Sequence, residues 1–575
     1  MKVSDYIAQF LAEQGVPSVF ELSGGMITHL LDSLNKQGRV RVTSMHHEQA
    51  AAFAADAVGR MTGTPGVAMA TSGPGATNLL TGIGSCYFDS SPSVFITGQV
   101  NRHEQKGERQ IRQLGFQETD IVAMARPITK AAWMTQTPEE VPALLSAAFQ
   151  LATSGRPGPV LLDIPMDVQR SDIEVPATGR ESVAAGGRST NDEAVLPELF
   201  DQLSVAKRPL ILIGGGIRSA WATPLLRALV SKLQVPVVNS LMAVDVLPYT
   251  DPLRVGMIGS YGNRWANHAL ARADCLLVLG SRLDVRQTGS ETKAFKGDRQ
   301  IFHVDCEPGE INNRIVGCVQ IVSHLLGFLN NALLLIADRK AIPPEAWLAE
   351  INELRRAYPD TEELPCINGI NPNILMHQLS RVSGAAAAYV VDVGQHQMWA
   401  AQSLELNSDQ RFLTSGGMGS MGFALPAAIG CALVSSPHPV VMIAGDGGFQ
   451  SNIQELQTVR RNDLPIKMVI INNNCHGMVR QFQESYFDSR YQSTLWGYSA
   501  PDFTQVAAAY GISARTVKDV DDVEEALRSL WQAPEQPGLL QVLVDTFANA
   551  YPKIAFGKPM SEMEPFAKPI EMEST

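Results

Sequence analysis

A carboxylate at Asp446, framed by glycines in Gly445-Asp446-Gly447-Gly448, and an asparagine run at Asn472-Asn473-Asn474 could together hold a hard cation. Mg²⁺ takes oxygen ligands in an octahedral array and leaves places for phosphate oxygens. Asp446 would give a carboxylate oxygen, Asn473 an amide oxygen, and a nearby backbone carbonyl a third. The flanking elements say how two residues 27 positions apart could meet. Residues 439–444 form an apolar, β-branched run bounded by glycine, which reads as a buried parallel strand. After Asp446 and a Gly-Gly turn comes an amphipathic helix from about Asn452, with Ile453, Leu456 and Val459 on one side. A second strand follows over Ile466 to Ile471. A strand–helix–strand crossover is right-handed and sets the carboxyl ends of both strands side by side. Asp446 and Asn473 therefore share one rim, where the glycines let backbone N–H groups and a helix N-terminus approach a diphosphate. Alone, a Gly-Asp-Gly turn also fits an ordinary βαβ unit.

The rest of the chain must supply the context. Its 575 residues are too many for one core, and the net charge of −12 argues against nucleic acid as a partner. Seven scattered cysteines without a Cys-x-x-Cys pair form neither a disulfide framework nor a zinc site, which suits a reducing, cytoplasmic setting. The first fourteen residues read as an amphipathic helix rather than a signal peptide. No apolar run reaches membrane-spanning length, the best being His324 to Ala337, broken by Asn330-Asn331. Two stretches read as linkers: residues 170–192, small and Gly/Ser-rich, and residues 339–372, charged and proline-rich. They leave an α/β architecture of three doubly wound parallel-sheet domains, over 1–170, 190–340 and 370–550, with a tail at 551–575.

In the first block, a strand near Val40 to Thr43 leads into His47-Glu48-Gln49 and an Ala-rich helix. The zinc-protease spacing fails there, because Ala51 stands four after His47. A strand over 66–70 ends in a turn containing Ser72, Gly73, Pro74 and Gly75 and opening a helix through Asn78. Phe116 and Gln117 lie in a loop, and Arg156 precedes the strand at 160–164. In the second block, strands end in Gly214-Gly215-Gly216, in Gly280-Ser281-Arg282 and in Asp305, which are nucleotide-binding hints without a full G-x-G-x-x-G. The third block carries Gly394-Gln395-His396 and a glycine-rich turn with Gly419 and Met421. There is no P-loop, serine elbow or kinase signature.

His47-Glu48-Gln49, the run Thr71 to Asn78, the run Gly394 to Trp399, Gly445-Asp446-Gly447 and Asn472-Asn473 resemble, in order and spacing, the acetohydroxyacid (acetolactate) synthase catalytic subunit. The similarity extends from residue 1 to about 550. It implies a pyrimidine-binding domain, a central domain and a diphosphate-binding domain. It also implies thiamine diphosphate (ThDP) and Mg²⁺ as cofactors, and a homo-oligomer, dimer or tetramer, with the active site across the subunit interface. In such an enzyme Glu48 hydrogen-bonds the aminopyrimidine ring and promotes the imino tautomer that removes the thiazolium C2 proton. A dry pocket helps a carboxyl share that proton. Met421 would wedge beneath the cofactor, and the Gly419 carbonyl would hold its amino group. Pro74, Asn78, Gly394, Gln395, His396, Gly445, Gly447, Gly448, Gly477 and Met478 line the implied cofactor site. Asp446, Asn473 and the carbonyl of Cys475 would hold Mg²⁺, with the thiol a bystander. Met421 also reads as plain core, and His396 as a satisfied polar residue. Arg156, Gly214, Gly215, Gly216, Arg282 and Asp305 resemble flavin-binding positions, where relatives hold FAD in a structural role, ADP, or nothing.

Two departures bear on the substrate. Met166 stands where the typical enzymes carry lysine, and Phe482 where they carry a tryptophan that favours 2-ketobutyrate. Phe116, Gln117 and Arg282 are kept. Pyruvate as donor follows from the resemblance, whereas the acceptor site reads as less cationic and roomier, and the unusual tail could cap it. A keto-sugar nucleotide is one acceptor that would fit. A flavin-dependent pyruvate oxidase and a non-catalytic regulatory subunit are the other readings.

Overall fold

A computed structural model describes residues 1–174, 192–339 and 343–571. Of the first proposed linker, 170–192, residues 175–191 lie outside the described residues.

Among the described residues eighteen strands form three six-stranded sheets, parallel throughout. The first contains β1 (Ser18–Leu22), β2 (Arg41–Ser44), β3 (Gly66–Ala70), β4 (Ser93–Gln99), β5 (Ala131–Met134) and β6 (Pro159–Pro165), in the order β2-β1-β3-β4-β6-β5. The second contains β7 (Pro209–Ile213), β8 (Val237–Asn239), β9 (Arg254–Met257), β10 (Cys275–Leu279), β11 (Gln300–Asp305) and β12 (Val319–Val322), in the order β12-β11-β10-β7-β8-β9. The third contains β13 (Ala388–Val391), β14 (Arg411–Leu413), β15 (Val440–Gly445), β16 (Ile466–Asn472), β17 (Ser513–Val517) and β18 (Gly538–Leu543), in the order β14-β13-β15-β16-β18-β17.

The third order repeats the first strand for strand, while the second is the dinucleotide-binding order read from its far edge. Ligands in such sheets bind outside the carboxyl ends of the strands, where the winding reverses. Those points fall between β1 and β3, between β7 and β10, and between β13 and β15. The central strands are buried on both faces, which explains their unbroken apolar runs.

The first and third blocks meet through two helices. Glu48–Thr62 follows β2, and Ala424–Ser435 follows its counterpart β14. Small residues let the backbones close: a Cβ added at Gly430 would stand 2.3 Å from the Ala54 carbonyl oxygen. Phe53 and Phe423 meet edge to face at 5.4 Å.

The stretch at 339–372 is more than a linker. Glu345–Ala357 is a helix whose Trp347, Ile351 and Leu354 are buried against the second block, and the Trp347 indole N–H donates to the Pro209 carbonyl at 3.1 Å. Charge and prolines at its ends masked that apolar stripe. Around Asp446 the helix also starts earlier than expected. Asp446–Ser451 is already helical, with Gly447 and Gly448 in its first turn, and Asn452 breaks it before Leu456–Arg461.

The tail forms a short antiparallel pair, β19 (Lys553–Ile554) and β20 (Met563–Glu564), docked on the second block. Ile554 N–H donates to the Ser260 carbonyl and Arg264 Nη2 to the Glu564 carbonyl, each at 2.9 Å. Its Lys553 ammonium lies over the Tyr486 ring. Among the described residues no helix is long and apolar enough to cross a membrane.

Candidate active site

The rim of the third sheet is built by strand register. Gly445 pairs with Ile471, so the next residues, Asp446 and Asn472-Asn473, emerge side by side. Asp446 and Asn473 are both buried. Burial pushes the Asp446 carboxyl up to about 6, against hydrogen bonds from Tyr498 and backbone N–H groups. The Tyr498 hydroxyl donates to Asp446 Oδ2 at 2.8 Å. Gln395 joins the strand ends: its amide oxygen accepts from Asn473 Nδ2 at 3.1 Å, and its nitrogen donates to the Ala548 carbonyl at 2.8 Å. A Cβ at Gly477 would lie 1.9 Å from that Gln395 oxygen, so only glycine fits there. The Cys475 N–H donates to Asn473 Oδ1 at 3.3 Å, while its buried thiol faces the Thr546 carbonyl.

His396 is wholly enclosed, and burial holds its ring at about 3, hence neutral. Its Nε2 accepts the Gly445 N–H at 3.2 Å. The ring thus buckles the first turn after β13 to the end of β15, which is the satisfied-polar role. Met421, expected either beneath a cofactor or in the core, is 39% exposed and sits beside Gly447. That exposure removes it from the core of this chain.

The turn carrying Gly419 and Met421 is clamped by two aspartates that sequence reasoning missed. Asp392, buried at the end of β13 and pushed by that burial to about 6, accepts N–H groups of Val393 (2.7 Å), Gly422 (3.0 Å) and Ala424 (3.3 Å). Asp89, in the first block, accepts N–H groups of Gly416 (3.0 Å) and Gly417 (2.6 Å). Arg60 pairs with Asp89 and Asp56 and donates to the Thr414 carbonyl at 2.8 Å. An acidic residue directly after a buried strand was the available signal for Asp392. Asp89 and Tyr498 offered none.

The first block supplies a second constellation. Glu48 opens its helix and is buried, and Asn78 Nδ2 donates to its Oε2 at 2.9 Å. A Cβ at Gly75 would come within 3.1 Å of Oε1, so glycine keeps that oxygen clear. Pro74 begins the Pro74–Asn78 helix. Gln117 sits in the left-handed region at φ +66, and Phe116 beside it is 79% exposed. Glu48 and Asn78 come together, as do Asp446, Asn473 and Gln395. Phe482 lies on the Gly477–Tyr486 helix, which also holds Met478, with its ring 4.8 Å from Tyr486.

At the β7/β10 reversal a large cleft is lined by Gly214, Gly215, Gly216, Arg282, Asp305 and Arg156. A Cβ at Gly214 would lie 2.2 Å from the Gly280 carbonyl oxygen. Arg156 reaches the cleft from the first block and pairs with Glu307 and Glu310 at 2.9 Å. Gly416 and Gly417 also line this cleft, so it borders the turn that leads to Met421.

Family models match three segments: the N-terminal TPP binding domain of thiamine pyrophosphate enzymes over residues 1–124, the central domain over 196–331, and the C-terminal TPP binding domain over 392–542. The chain is 38% identical over 560 residues to the acetolactate synthase large subunit of Parasynechococcus marenigrum (strain WH8102), covering 96% of this chain and 89% of the relative. It is 37% identical over 565 residues to the acetolactate synthase isozyme 2 large subunit of Escherichia coli (strain K12), covering 98% and 99%. The chain belongs to the acetolactate synthase large-subunit family of thiamine pyrophosphate enzymes. A probable acetolactate synthase large subunit of Methanocaldococcus jannaschii is 34% identical across the whole of this chain. Within this family, the rims of the first and third sheets fall in the N-terminal and C-terminal TPP binding domains.

Proposed function

We propose that the chain decarboxylates pyruvate with thiamine diphosphate and Mg²⁺ and transfers the two-carbon acetyl unit to a carbonyl acceptor. The observation that carries this reading is the buried Glu48 carboxylate, held by Asn78 with Oε1 clear, in a chain whose third sheet brings Asp446 and Asn473 to one rim. The rim fits the cofactor by its glycines: a Cβ at Gly447 would strike the His476 ring at 2.8 Å, and one at Gly448 the Asp392 carboxylate at 3.0 Å. Asp446, Asn473 and the Cys475 carbonyl would hold the cation, with phosphate oxygens completing its octahedron.

Bound thiamine diphosphate supplies the electron sink that accepts the electrons freed as CO₂ leaves. Glu48 would hold at Oε1 the proton shared with the cofactor's pyrimidine ring, its Oε2 being taken by Asn78. Gln395, Gly477 and Asp392 keep the anchoring groups in register. Gln117 and Phe116 bound the donor side and Phe482 the acceptor side.

Phe116 and Met421 stand at the exposed edges of the two half-sites. A second copy would cover them, which makes the assembly a homo-oligomer, dimer or tetramer, with the active site across the interface. The cleft lined by Gly214–Gly216 and Asp305 suits FAD in a structural role, Gly214 and Gly216 letting the ends of β7 and β10 close against each other beneath it. Residues 1–170, 190–340 and 370–550 are the corresponding domains, and 551–575 is the tail. Met166 and Phe482 favour, as a second reading, transfer to a 4-keto sugar nucleotide rather than to a small keto acid.

The test is CO₂ release from pyruvate with and without ThDP and Mg²⁺, repeated with Glu48→Gln. Release should depend on both cofactors and fall by about 10²–10⁴-fold in the variant at unchanged melting temperature. Full activity in Glu48→Gln would overturn the reading. Products formed with pyruvate, 2-ketobutyrate, aldehydes and 4-keto sugar nucleotides, identified by mass spectrometry, name the acceptor.

A further inference from the structure

Gln117 is a polar residue of a long loop, yet its backbone adopts a conformation that favours glycine, at φ +66. Something must hold it there. Ser72, one residue before the Gly73-Pro74-Gly75 turn, sets its hydroxyl between two acceptors, the Gln117 carbonyl at 2.6 Å and Gln99 Oε1 at 2.9 Å, so that its single proton is shared between them and ties the loop to the Gln99 amide. The Gln99 amide is fully engaged: its oxygen accepts the Val100 N–H at 3.0 Å, and its nitrogen donates to the Thr119 carbonyl at 2.8 Å and to Asp163 Oδ2 at 2.9 Å. Flipping that amide would face its nitrogen to an N–H and its oxygen to two acceptors, so the orientation is forced. Asp163 also accepts from the Thr97 hydroxyl at 2.7 Å, across the β4/β6 pair where Thr97 and Asp163 lie in register. Ser72, Thr97, Gln99 and Asp163 are all buried. The polar contacts therefore run from the middle of the first sheet through buried side chains as far as Ser72, which hands them to the half-buried Gln117.

We infer that Ser72, Gln99 and Asp163 form a positioning relay that holds Gln117 against the Glu48 half-site and fixes the turn on which Asn78 approaches Glu48. The turn and the loop also touch directly, since a Cβ at Gly73 would lie 2.9 Å from Gln117 Cβ. Buried, fully satisfied polar chains rigidify what they connect, and a single missing member leaves the rest unpaired. None of the three relay residues touches the reacting atoms. They act through Gln117 and the Pro74–Asn78 helix.

The inference rests on the carboligase reading, and wild-type CO₂ release from pyruvate is the control for that reading. The test is a double-mutant cycle in the full-length protein with ThDP and Mg²⁺. Ser72→Ala removes one hydroxyl and leaves Gln99 bonded to Val100. It should lower kcat/KM for pyruvate by about tenfold, the size of one positioning hydrogen bond, while changing ThDP affinity less than about twofold. In a Gln117→Ala background the same change should cost less than about twofold, because the group being positioned is gone. Gln99→Met should show the same coupling to Gln117→Ala. Asp163→Asn keeps an acceptor for Gln99 and a partner for Thr97, and should retain most of the activity that Asp163→Ala loses. Equal losses from Ser72→Ala in both backgrounds would overturn the relay. So would unchanged kcat/KM in Ser72→Ala, or a fall in ThDP affinity that matches the fall in activity.

Discussion

In the first sheet a helix leaves β2 with Glu48 at its head. In the third sheet a helix leaves β14, the strand in the same place of the same order, preceded by the turn of Gly419 and Met421. The two helices pack on each other, so equivalent elements of a repeated fold meet at one interface. Their rims nevertheless carry different chemistry. At the end of β3 stands Gly73-Pro74-Gly75, which leaves Glu48 room. At the end of β15 stands Asp446 with two glycines, which suits a cation and an anion. After β4 comes a long loop reaching Gln117, whereas after β16 comes a tight turn through Asn473 and Gly477. On the proposed reading one winding order thus serves a proton-handling half and a phosphate-anchoring half, which would place function in rim residues rather than in fold.

The largest effect should come from separating the halves by mutation. Asp446→Ala should weaken ThDP binding by about 100-fold or more at fixed Mg²⁺, read by calorimetry, because on the proposed reading it removes the charged ligand of the cation. Glu48→Gln should leave ThDP affinity within about threefold while removing turnover. If both variants lost affinity equally, the division of labour would fail.

A smaller effect tests the joint between the halves. Arg60 is nearly buried between Asp56 and Asp89 and donates to the Thr414 carbonyl. Arg60→Ala leaves two buried carboxylates unpaired and frees the Gly416-Gly417 turn, and should cost about 3–5 kcal/mol in urea denaturation. A loss under about 1 kcal/mol would mean that the aspartates find other partners and that the joint does not depend on Arg60.

The sheets and the Asp446–Asn473 rim were legible because buried parallel strands are continuous apolar runs and glycines mark where backbones close in. What stayed hidden depended on contacts between distant segments. Asp89 lies 327 residues from Gly416, and nothing local to Phe88-Asp89-Ser90 announces that pairing. The motif around His396 implied a residue lining the cofactor site and left open a satisfied polar one, but gave no sign that its Nε2 would accept the Gly445 N–H at the end of β15. The helix at Glu345–Ala357 was lost among prolines and charges that belong to its ends, not to its buried face. Local pattern reports the period of an element, but not which partner its polar groups will find.

Beside the joint between the second and third blocks, where Asp245 pairs with Arg411 at 3.0 Å, lies a contact that differs in kind, because it contains a histidine. His377 stands between Asp360 (3.0 Å) and Glu405 (2.8 Å), with the Tyr249 ring of the second block 6.1 Å away. Arg381 pairs with Glu405, and Arg254 lies over Tyr249. Burial pulls the imidazole down, but the hydrogen bonds and charges of Asp360 and Glu405 outweigh it, so its pKa is raised in the folded chain. A cation favoured by folding stabilises fully below the unfolded histidine range, and that contribution is lost as pH rises through the raised folded value. His377→Gln should therefore cost about 1–2 kcal/mol at pH 6, the worth of hydrogen bonds to charged groups, and progressively less toward pH 9. The urea midpoints of the two proteins, compared at each pH, read this directly. A gap that widened with rising pH would reverse the sign and show that the ring is buried neutral, which would make this contact no different from the permanently charged one at Arg60.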